Sequence, residues 1–289
     1  MGGGPAGLRA AVTAARAGAA VTLVEAESSL GGQVARARML KGRERLGVLV
    51  DDLYAEALRR GVDVRLGLKL GDPGPGAPAP VDVAAFDHIV VAAGARSLRR
   101  SLPGAEENGV EVLDAESAVV ALEAGSWRQP RRIAVVDDEG SWIAAGLVEA
   151  LGRGGHRVHL VAPSPQLFGR VTLYSRAGLL DRLRAFDVSS HLARRPKAIA
   201  ETGLLLQDVV GGADASEVVP GIDLVIDLPA RVARTELLAW LAARGVEERV
   251  VVVGDALAPR TLVEATYEAH RAVLHVLAAP TPTPVLSIS

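Results

Sequence analysis

Three features of this 289-residue sequence predict an α/β protein with two parallel-sheet domains, the second inserted in the first. A glycine-rich turn stands at the start of the chain, and short buried strands alternate with amphipathic helices after it. The alternation begins again with a strand at 131–136, a helix at 141–151 and a strand at 157–161. Strands that alternate with helices form parallel sheets, so each series predicts one doubly wound domain.

The first eight residues carry the motif on which the functional prediction rests. Gly2, Gly4 and Gly7 fit the spacing G-x-G-x-x-G, which between a strand and a helix cradles the pyrophosphate of a dinucleotide. The helix that follows offers free N–H groups and a positive dipole end to an anion. Since the chain contains 31 glycines, the pattern alone is weak, and a structural Gly-rich turn is the alternative.

The residues after this turn support a dinucleotide site. An apolar helical face runs from Leu8 to Ala15, and a buried strand at 20–24 ends on Glu25. Glu25 stands 18 positions after Gly7. In Rossmann-like folds an acid about 20 residues on holds the adenosine ribose hydroxyls. Glu25 is therefore predicted to bind the ribose.

The strand that should precede the turn is missing, because only Met1 stands before Gly2. A buried strand of roughly five or six residues is expected there, and without it the neighbouring strands expose their backbone edges. Either the true chain begins earlier or another polypeptide supplies the strand. We expect the former, with Met1 internal to a longer reading frame.

Composition excludes several classes of chemistry. The chain has no cysteine, which rules out a redox disulfide, a thiolate nucleophile and cysteine-held iron–sulfur or zinc within it. Its six histidines show no metal-ligand spacing, so no metal site is predicted. A net charge of −2 gives no electrostatic reason to expect binding to nucleic acid or to anionic lipid. No apolar run reaches a membrane span and no signal peptide is visible. The absence of cysteine is consistent with the cytoplasmic location that we expect.

The second half repeats the first without its phosphate-binding residues. A gapless alignment of 18–21 with 155–158 sets Gly2, Gly4 and Gly7 opposite Glu139, Ser141 and Ala144, and Glu25 opposite Ala162. The acidic run 137–139 would also repel a pyrophosphate. The sequence predicts a degenerate nucleotide site here.

The remaining segments set the predicted domain boundaries. We expect residues 1–114 and 236–278 to form the first domain, 115–235 the second, and 279–289 a disordered tail. A buried strand at 249–253 leads to Gly254 and Asp255. Asp255 is predicted to contact a ligand at the carboxyl end of a parallel strand, the alternative being a cap of the helix after it.

These segments together resemble the two-dinucleotide-fold flavoproteins of the glutathione-reductase type. More narrowly, they resemble the C-terminal module of the family that contains trimethylamine dehydrogenase and 2,4-dienoyl-CoA reductase. The resemblance extends to about residue 277 and rests on GGGPAG, Glu25, LGGQ at 30–33, Ala93-Gly94, VVDDEG at 135–140 and VGDALAPR at 253–260.

The resemblance implies an FAD site, with ADP as the alternative ligand. It leaves open whether NAD(P)H binds as a co-substrate. No residue is predicted to be catalytic. The residues expected to bind the cofactor are Gly2, Gly4, Pro5, Ala6, Gly7, Glu25, Gly32, Gln33, Arg43, Ala93, Gly94, Gly254 and Asp255.

The family also carries an old-yellow-enzyme-like barrel with FMN and a 4Fe-4S cluster, which this chain lacks. The implied function is an FAD-dependent oxidoreductase module that relays hydride or electrons between a nicotinamide or partner cofactor and a barrel domain or subunit elsewhere. The alternatives are a non-catalytic ADP-binding structural module and a truncated gene product. The sequence leaves the substrate, NADH versus NADPH, and homo-oligomerisation open.

Overall fold

The computed structural model describes residues 1–71, 81–98, 100–211 and 216–278. Its elements are, in chain order, α1 (Pro5–Arg16), β1 (Thr22–Val24), α2 (Gln33–Ala37), α3 (Val48–Arg59), β2 (Asp63–Arg65), β3 (Ile89–Val91), β4 (Ala95–Ser97), β5 (Glu111–Asp114), α4 (Ala115–Glu123), β6 (Arg132–Asp137), α5 (Trp142–Arg153), β7 (Arg157–Ala162), α6 (Leu173–Leu183), β8 (Val188–Leu192), β9 (Arg194–Ala200), β10 (Gly203–Asp208), β11 (Ser216–Val219), β12 (Leu224–Leu228), β13 (Arg231–Ala233), α7 (Glu236–Ala242), β14 (Val250–Val252) and α8 (Leu262–Ala278). The predicted α/β class with parallel sheets is confirmed.

The chain divides into two compact units. Unit 1 comprises Met1–Val34, Val48–Arg96 and Val232–Ser289, and unit 2 comprises Ala35–Gly47 and Ser97–Arg231. The sequence places the change of domain at residue 115, whereas the structure groups residues 97–114 with unit 2. The reason is that β5 pairs with β12 in the sheet of unit 2. The tail predicted for 279–289 lies outside the described residues.

In unit 1 the backbone of residues 1 and 2 lies between two strand pairs. β1 pairs with β2, and β3 pairs with β14, both in parallel. The Met1 nitrogen donates to Val90 O (2.7 Å) and the Ala92 N–H donates to Met1 O (2.8 Å). The Gly2 N–H donates to Val24 O (2.8 Å). Residues 1 and 2 therefore occupy the position between β1 and β3 that the predicted missing strand would take.

Helix α1 packs on both of its sides within unit 1. Its larger residues, Leu8 and Val12, are buried with Leu23 of β1 and with Leu53 of α3. Its small residues face α8, and they are buried in a second cluster with the alanines and valines of that helix. Small side chains let two helices approach closely, so this alanine-rich face holds α8 against α1.

Unit 2 is built on a five-stranded parallel sheet in the order β5-β12-β6-β7-β8. Its central strands are buried on both faces, as β6 shows. Ile133 and Val135 pack with the helices of the unit, while Ala134 and Val136 face the other way. That second face is covered by the antiparallel sheet β11-β10-β9, through residues such as Leu204.

A buried cluster of charged side chains connects residues 35–47, which belong to unit 2, with the helices of that unit. Glu149 on α5 is 3% exposed and accepts hydrogen bonds from Arg43 (2.9 Å), Arg153 (3.1 Å) and Arg182 (2.7 Å). The Arg43 guanidinium also lies 5.3 Å from the centre of the Trp142 ring. Burial acts to raise the pKa of Glu149, but the hydrogen bonds from Arg182 and Arg43 outweigh it and the pKa is lowered. Glu149 is therefore an ionised centre of this packing.

Replacing the central carboxylate should destabilise unit 2. Glu149→Gln leaves the buried Arg43 without its charge partner, and we expect the free energy of unfolding to fall by about 3 kcal/mol. Arg153→Gln removes only a half-exposed member and should cost less than about 1 kcal/mol. Urea unfolding of both variants measures the difference, and equal midpoints would contradict the importance of Glu149.

Candidate functional site

Three segments of unit 1 meet at the N-terminus of α1. The first is the glycine-rich segment 2–7, called here the first turn. The Gly31 N–H donates to Gly3 O (2.9 Å), and a Cβ at Gly32 would stand 3.6 Å from the Gly4 Cα. A Cβ at Gly254 would approach the Ala6 Cβ to 2.7 Å. The loops after β1 and β14 therefore both contact the first turn.

The three glycines of the fingerprint have different surroundings. A side chain at Gly2 would collide with the carbonyl of Ala92, and one at Gly7 would collide with the carbonyl of Gly2. A side chain at Gly4 would meet no heavy atom of the protein within 4 Å. The outer glycines are thus required by packing, whereas Gly4 presents bare backbone to open space, as the approach of a pyrophosphate requires.

The first turn of α1 is suited to hold an anion. Gly4 is the N-cap and carries no side chain that could cap the helix, and Pro5 follows it. The amides of Ala6 and Gly7 lie in the first turn of this 12-residue helix, which has no acidic residue there. A helix N-terminus of this kind favours a phosphate through its N–H groups and its dipole.

Glu25 holds the first turn in place. Its Oε2 accepts the Gly3 N–H (2.5 Å), its Oε1 accepts the Glu27 N–H (2.8 Å), and its own N–H donates to Arg65 O (2.9 Å). The carboxylate therefore stands next to the glycines at the end of β1. Its contact with a ribose stays a prediction.

Gln33 and Asp255 are far apart in the chain and touch in the structure. Gln33 Nε2 donates to Asp255 Oδ2 (2.9 Å), and the Arg260 N–H donates to Asp255 Oδ1 (3.1 Å). Asp255 lies in the single 3₁₀ turn Gly254–Ala256 that follows β14. The contact of Asp255 with a ligand, and its alternative role as a cap of α8, both stay predictions.

The other predicted residues are divided between the units. Ala93 and Gly94 follow β3 in unit 1, where the Arg234 N–H donates to Gly94 O (3.1 Å). The Ala93 nitrogen would lie 3.2 Å from a Cβ at Gly2. Arg43 instead belongs to unit 2 and is bonded to Glu149, as described above. Its role in cofactor binding stays a prediction.

Unit 2 has a corresponding segment between β6 and α5, residues 137–140, called here the acidic turn. Asp137 is 3% exposed, and its Oδ1 accepts the N–H groups of Glu139 (3.0 Å) and Gly140 (2.8 Å). The Arg170 N–H donates to Gly140 O (3.0 Å), so the segment after β7 crosses the acidic turn. The amides of this turn thus bind a carboxylate of the chain itself.

Further charges surround the acidic turn. Arg100 pairs with Asp138 (2.5 Å) and with Asp227 at the end of β12 (3.1 Å), and Arg231 lies 3.6 Å from Glu139. Burial raises the pKa of Asp227 to about 6, against the opposing effect of Arg100. Sequence reasoning missed Arg100, Arg231 and Asp227, because each reaches the turn from a distant part of the chain.

The described residues offer no other centre of chemistry. No three histidine, cysteine or acidic side chains among them are grouped so that they could hold a metal ion. None of the helices in the described part of the chain has the length and hydropathy to span a membrane.

Comparison with known proteins agrees with this geometry. Residues 1–253 match the family model described as pyridine nucleotide-disulphide oxidoreductase. An NADH oxidase of Thermoanaerobacter brockii is 26% identical over 256 residues, which are 89% of this chain and 37% of that protein. Histamine dehydrogenase from Rhizobium sp. 4-9 is similar at 26% identity and a TM-score of 0.77, over 99% of this chain and 44% of that chain.

A third similarity shows the fold alone. The 6-hydroxypseudooxynicotine amine oxidase HisD from Pseudomonas geniculata N1 matches with a TM-score of 0.73 at 23% identity, over 94% of this chain and 40% of that chain. The chain thus spans less than half the length of each of these three proteins. The predicted fold of two Rossmann-type nucleotide-binding domains is confirmed by the family match.

The surroundings of the glycines lead to a test of the first turn. Gly7→Ala forces its methyl group into the carbonyl of Gly2 and should lower the free energy of unfolding by about 2 kcal/mol. Gly4→Ala meets open space and should cost less than about 1 kcal/mol, through the N-cap preference. Thermal unfolding compares the two variants, and an equal loss from both would contradict the different surroundings.

Burial of Asp137 predicts a dependence of stability on pH. Burial raises its pKa from 3.8 to about 7, so between pH 4 and 7 the folded protein holds a proton that the unfolded chain has released. Stability should therefore fall as the pH rises through this window, by up to about 4 kcal/mol. Asp137→Asn should remove the part of this dependence that Asp137 contributes and leave the smaller part from Asp227, whereas Asp187→Asn, at an exposed position, should keep both. Parallel profiles for wild type and Asp137→Asn in urea unfolding would contradict the shift.

Proposed function

The chain belongs to the pyridine nucleotide-disulphide oxidoreductase family, and on that premise we propose that it binds FAD in unit 1 as part of a larger oxidoreductase. The family comprises FAD-dependent, NAD(P)H-linked oxidoreductases. In this proposal the module passes hydride or electrons between a nicotinamide or partner cofactor and a barrel with FMN and a 4Fe-4S cluster outside this chain.

One observation carries the proposal. The backbone of Gly4 faces open space at an uncapped helix N-terminus, while Gly2 and Gly7 are closed in by the protein. A bare backbone beside free amides fits the pyrophosphate of a dinucleotide. Glu25 and Asp255 bring carboxylates to the same turn from the ends of two other strands. The residues present therefore fit FAD.

Each residue of the site has a part in binding. The amides of the first turn of α1 would hold the pyrophosphate, Glu25 the adenosine ribose, and Asp255 the pyrophosphate or the ribityl chain. Gly32 and Gln33 would flank the phosphates, and Ala93 and Gly94 would line the adenine side. The flavin supplies the redox chemistry when bound. The chain contributes orientation and electrostatics.

The proposed placement within the family is narrower. The similarities to histamine dehydrogenase and to the amine oxidase HisD favour the group that contains trimethylamine dehydrogenase and 2,4-dienoyl-CoA reductase. The short coverage of the relatives favours further domains or subunits in the working enzyme. Because this chain has no cysteine, the cluster ligands would all come from that other part.

A second candidate function is a structural module that binds ADP without catalysis. The observation that favours it is the acidic turn, where Asp137, Asp138 and Glu139 line the place that the phosphates of a second nucleotide would take. In that case the first turn still binds the adenosine diphosphate part, and no electrons enter through unit 2.

Reconstitution separates these functions. Purified protein mixed with FAD should retain flavin absorbance after gel filtration, and Gly4→Val should abolish it because its side chain fills the open approach. Glu25→Gln should weaken FAD binding roughly tenfold, since one hydrogen bond to a charged group contributes about 1.5 kcal/mol. Glu116→Gln, an exposed carboxylate in unit 2, is the matched control and should bind normally.

The outcomes are distinct. Retained FAD that is reduced by NADH or NADPH supports the oxidoreductase module. Binding of ADP with no retention of FAD supports the structural module instead. Equal FAD retention by wild type and Gly4→Val contradicts the site at the first turn.

A further inference from the structure

The outer side of α8 carries a row of apolar side chains that the described part of the chain leaves exposed. Val263, Tyr267, Leu274 and Leu277 are 72%, 58%, 46% and 38% exposed. Counted with the exposed His270, these residues follow one another at intervals of four, three, four and three positions. Such spacing keeps residues on one side of a helix and is the spacing of a coiled-coil seam. These five residues are called here the α8 stripe.

The stripe differs from the other exposed apolar residues of the chain because its members adjoin one another. The opposite side of α8 packs on α1, with Ala269 and Val273 buried. Together with Leu257, the apolar members of the stripe make up five of the 17 large apolar side chains that are exposed among the described residues. Single exposed apolar residues are ordinary, whereas a contiguous group marks an interaction site.

The charges beside the stripe divide along the helix. Glu264 and Glu268 stand in its first half, where Arg260 pairs with Glu268 and the Thr261 N–H donates to Glu264 (3.1 Å). Two carboxylates and one guanidinium give this half a net charge of −1. The second half carries Arg271 and, with its histidines neutral, has a net charge of +1. The two ends of α8 are therefore opposite in charge.

We propose that the α8 stripe is the contact between two copies of this chain, whose α8 helices pair antiparallel about a two-fold axis beside His270. A two-fold contact uses the same surface twice, so that surface must complement itself. Reversal of the helix about this point places Tyr267 of each copy opposite Leu274 of the other, and Val263 beside Leu277. It also places the negative half of each α8 beside the positive half of the other.

A parallel pair and an unrelated partner fit these observations less well. In a parallel pair, Glu264 would face Glu264 and Arg271 would face Arg271, and like charges repel. The helix dipoles would also be aligned rather than opposed. An unrelated partner would not require the apolar spacing and the charges to match under reversal of the helix. The contact involves no cofactor, so the inference is independent of the proposed function.

The size of the stripe sets the expected strength of the dimer. With 17 residues, α8 is about 26 Å long. One pair of helices of this length buries less than the roughly 1,200–2,000 Å² of a stable protein interface. We therefore expect a reversible dimer with a Kd on the order of 100 µM.

The absence of cysteine from this chain permits a direct test by cross-linking. One cysteine is introduced into the full chain, and the protein is oxidised at about 100 µM, near the expected Kd. His270→Cys lies beside its own counterpart at the two-fold axis and should form a disulfide-linked dimer. Val263→Cys lies about 20 Å from its counterpart in the antiparallel pair, beyond the roughly 7 Å between α-carbons that a disulfide spans. It should stay monomeric.

Two controls accompany the cross-linking. Leu58→Cys, at an exposed position on α3, measures disulfides that form by random collision. His270 Nδ1 lies 3.0 Å from Thr13 Oγ1, so His270→Cys loses one hydrogen bond to α1. Thermal unfolding of this variant checks that its fold is retained.

Sedimentation of the full chain measures the same association without a cross-link. Leu274→Glu should abolish the dimer, whereas Leu58→Glu, at a similarly exposed leucine, should leave it unchanged. Arg271→Glu should weaken the dimer roughly tenfold, because two symmetric ion pairs are lost. Addition of Glu268→Arg to the same chain should restore the affinity, since each pair is then reversed in sign.

Three results would overturn the proposal. One is a chain that sediments as a monomer well above the expected Kd, which would assign the stripe to a different partner. Another is equal cross-linking of His270→Cys and Val263→Cys, which would indicate parallel or unspecific contact. The third is a dimer that Leu274→Glu and Leu58→Glu affect equally, which would place the contact elsewhere on the surface.

Discussion

The contact of Gly7 with the carbonyl of Gly2 is the constraint around which unit 1 is arranged. It lets α1 begin directly against the end of β3, because a single Cβ at either position would collide with backbone. With its first residues held there, α1 packs against α3 through its large side chains and against α8 through its alanines. The same start leaves Gly4 facing open space. The packing of α1 and the open surroundings of Gly4 thus have one cause.

The first turn and the acidic turn both present backbone amides near a helix N-terminus, but different groups of the protein bond those amides. Amides at the N-terminus of a helix attract an anion. In unit 1 Glu25 bonds one amide of the first turn from the neighbouring strand and leaves the helix N-terminus uncapped. In unit 2 Asp137 bonds two amides from the same strand, and Ser141 caps α5. Both turns thus bond a carboxylate of the chain, but the N-terminus of α1 is uncapped whereas that of α5 is capped by Ser141.

This asymmetry bears on how electrons would move through the protein. No side chain of the described residues forms a catalytic constellation, so redox chemistry depends on bound cofactors and on their placement. Under the proposed function, a flavin bound in unit 1 would supply that chemistry.

The sequence by itself determined the fold class, the glycine turn and most of the parallel strands. These features are local, since buried strands read as continuous apolar runs and the fingerprint lies within six residues. The sequence pattern predicts the helices and strands of residues 165–235 less clearly. Strand β8 lies at the edge of the parallel sheet, whereas β9 to β11 form a separate antiparallel sheet that covers one face of β6 and β7. This covering depends on residues that are distant in the chain, so no local pattern predicts it.

Tertiary structure alone decided the contacts between distant residues. Gln33 meets Asp255 across 222 positions, Arg43 meets Glu149 across 106, and Arg100 meets Asp138 across 38. No local pattern marks a charged residue as the partner of another one on a different element. Which carboxylates gather at the acidic turn, and which guanidinium groups balance them, follows from the order of strands in the sheet. The chain determines its strands locally, whereas the charge balance of its sites arises only when those strands are packed together.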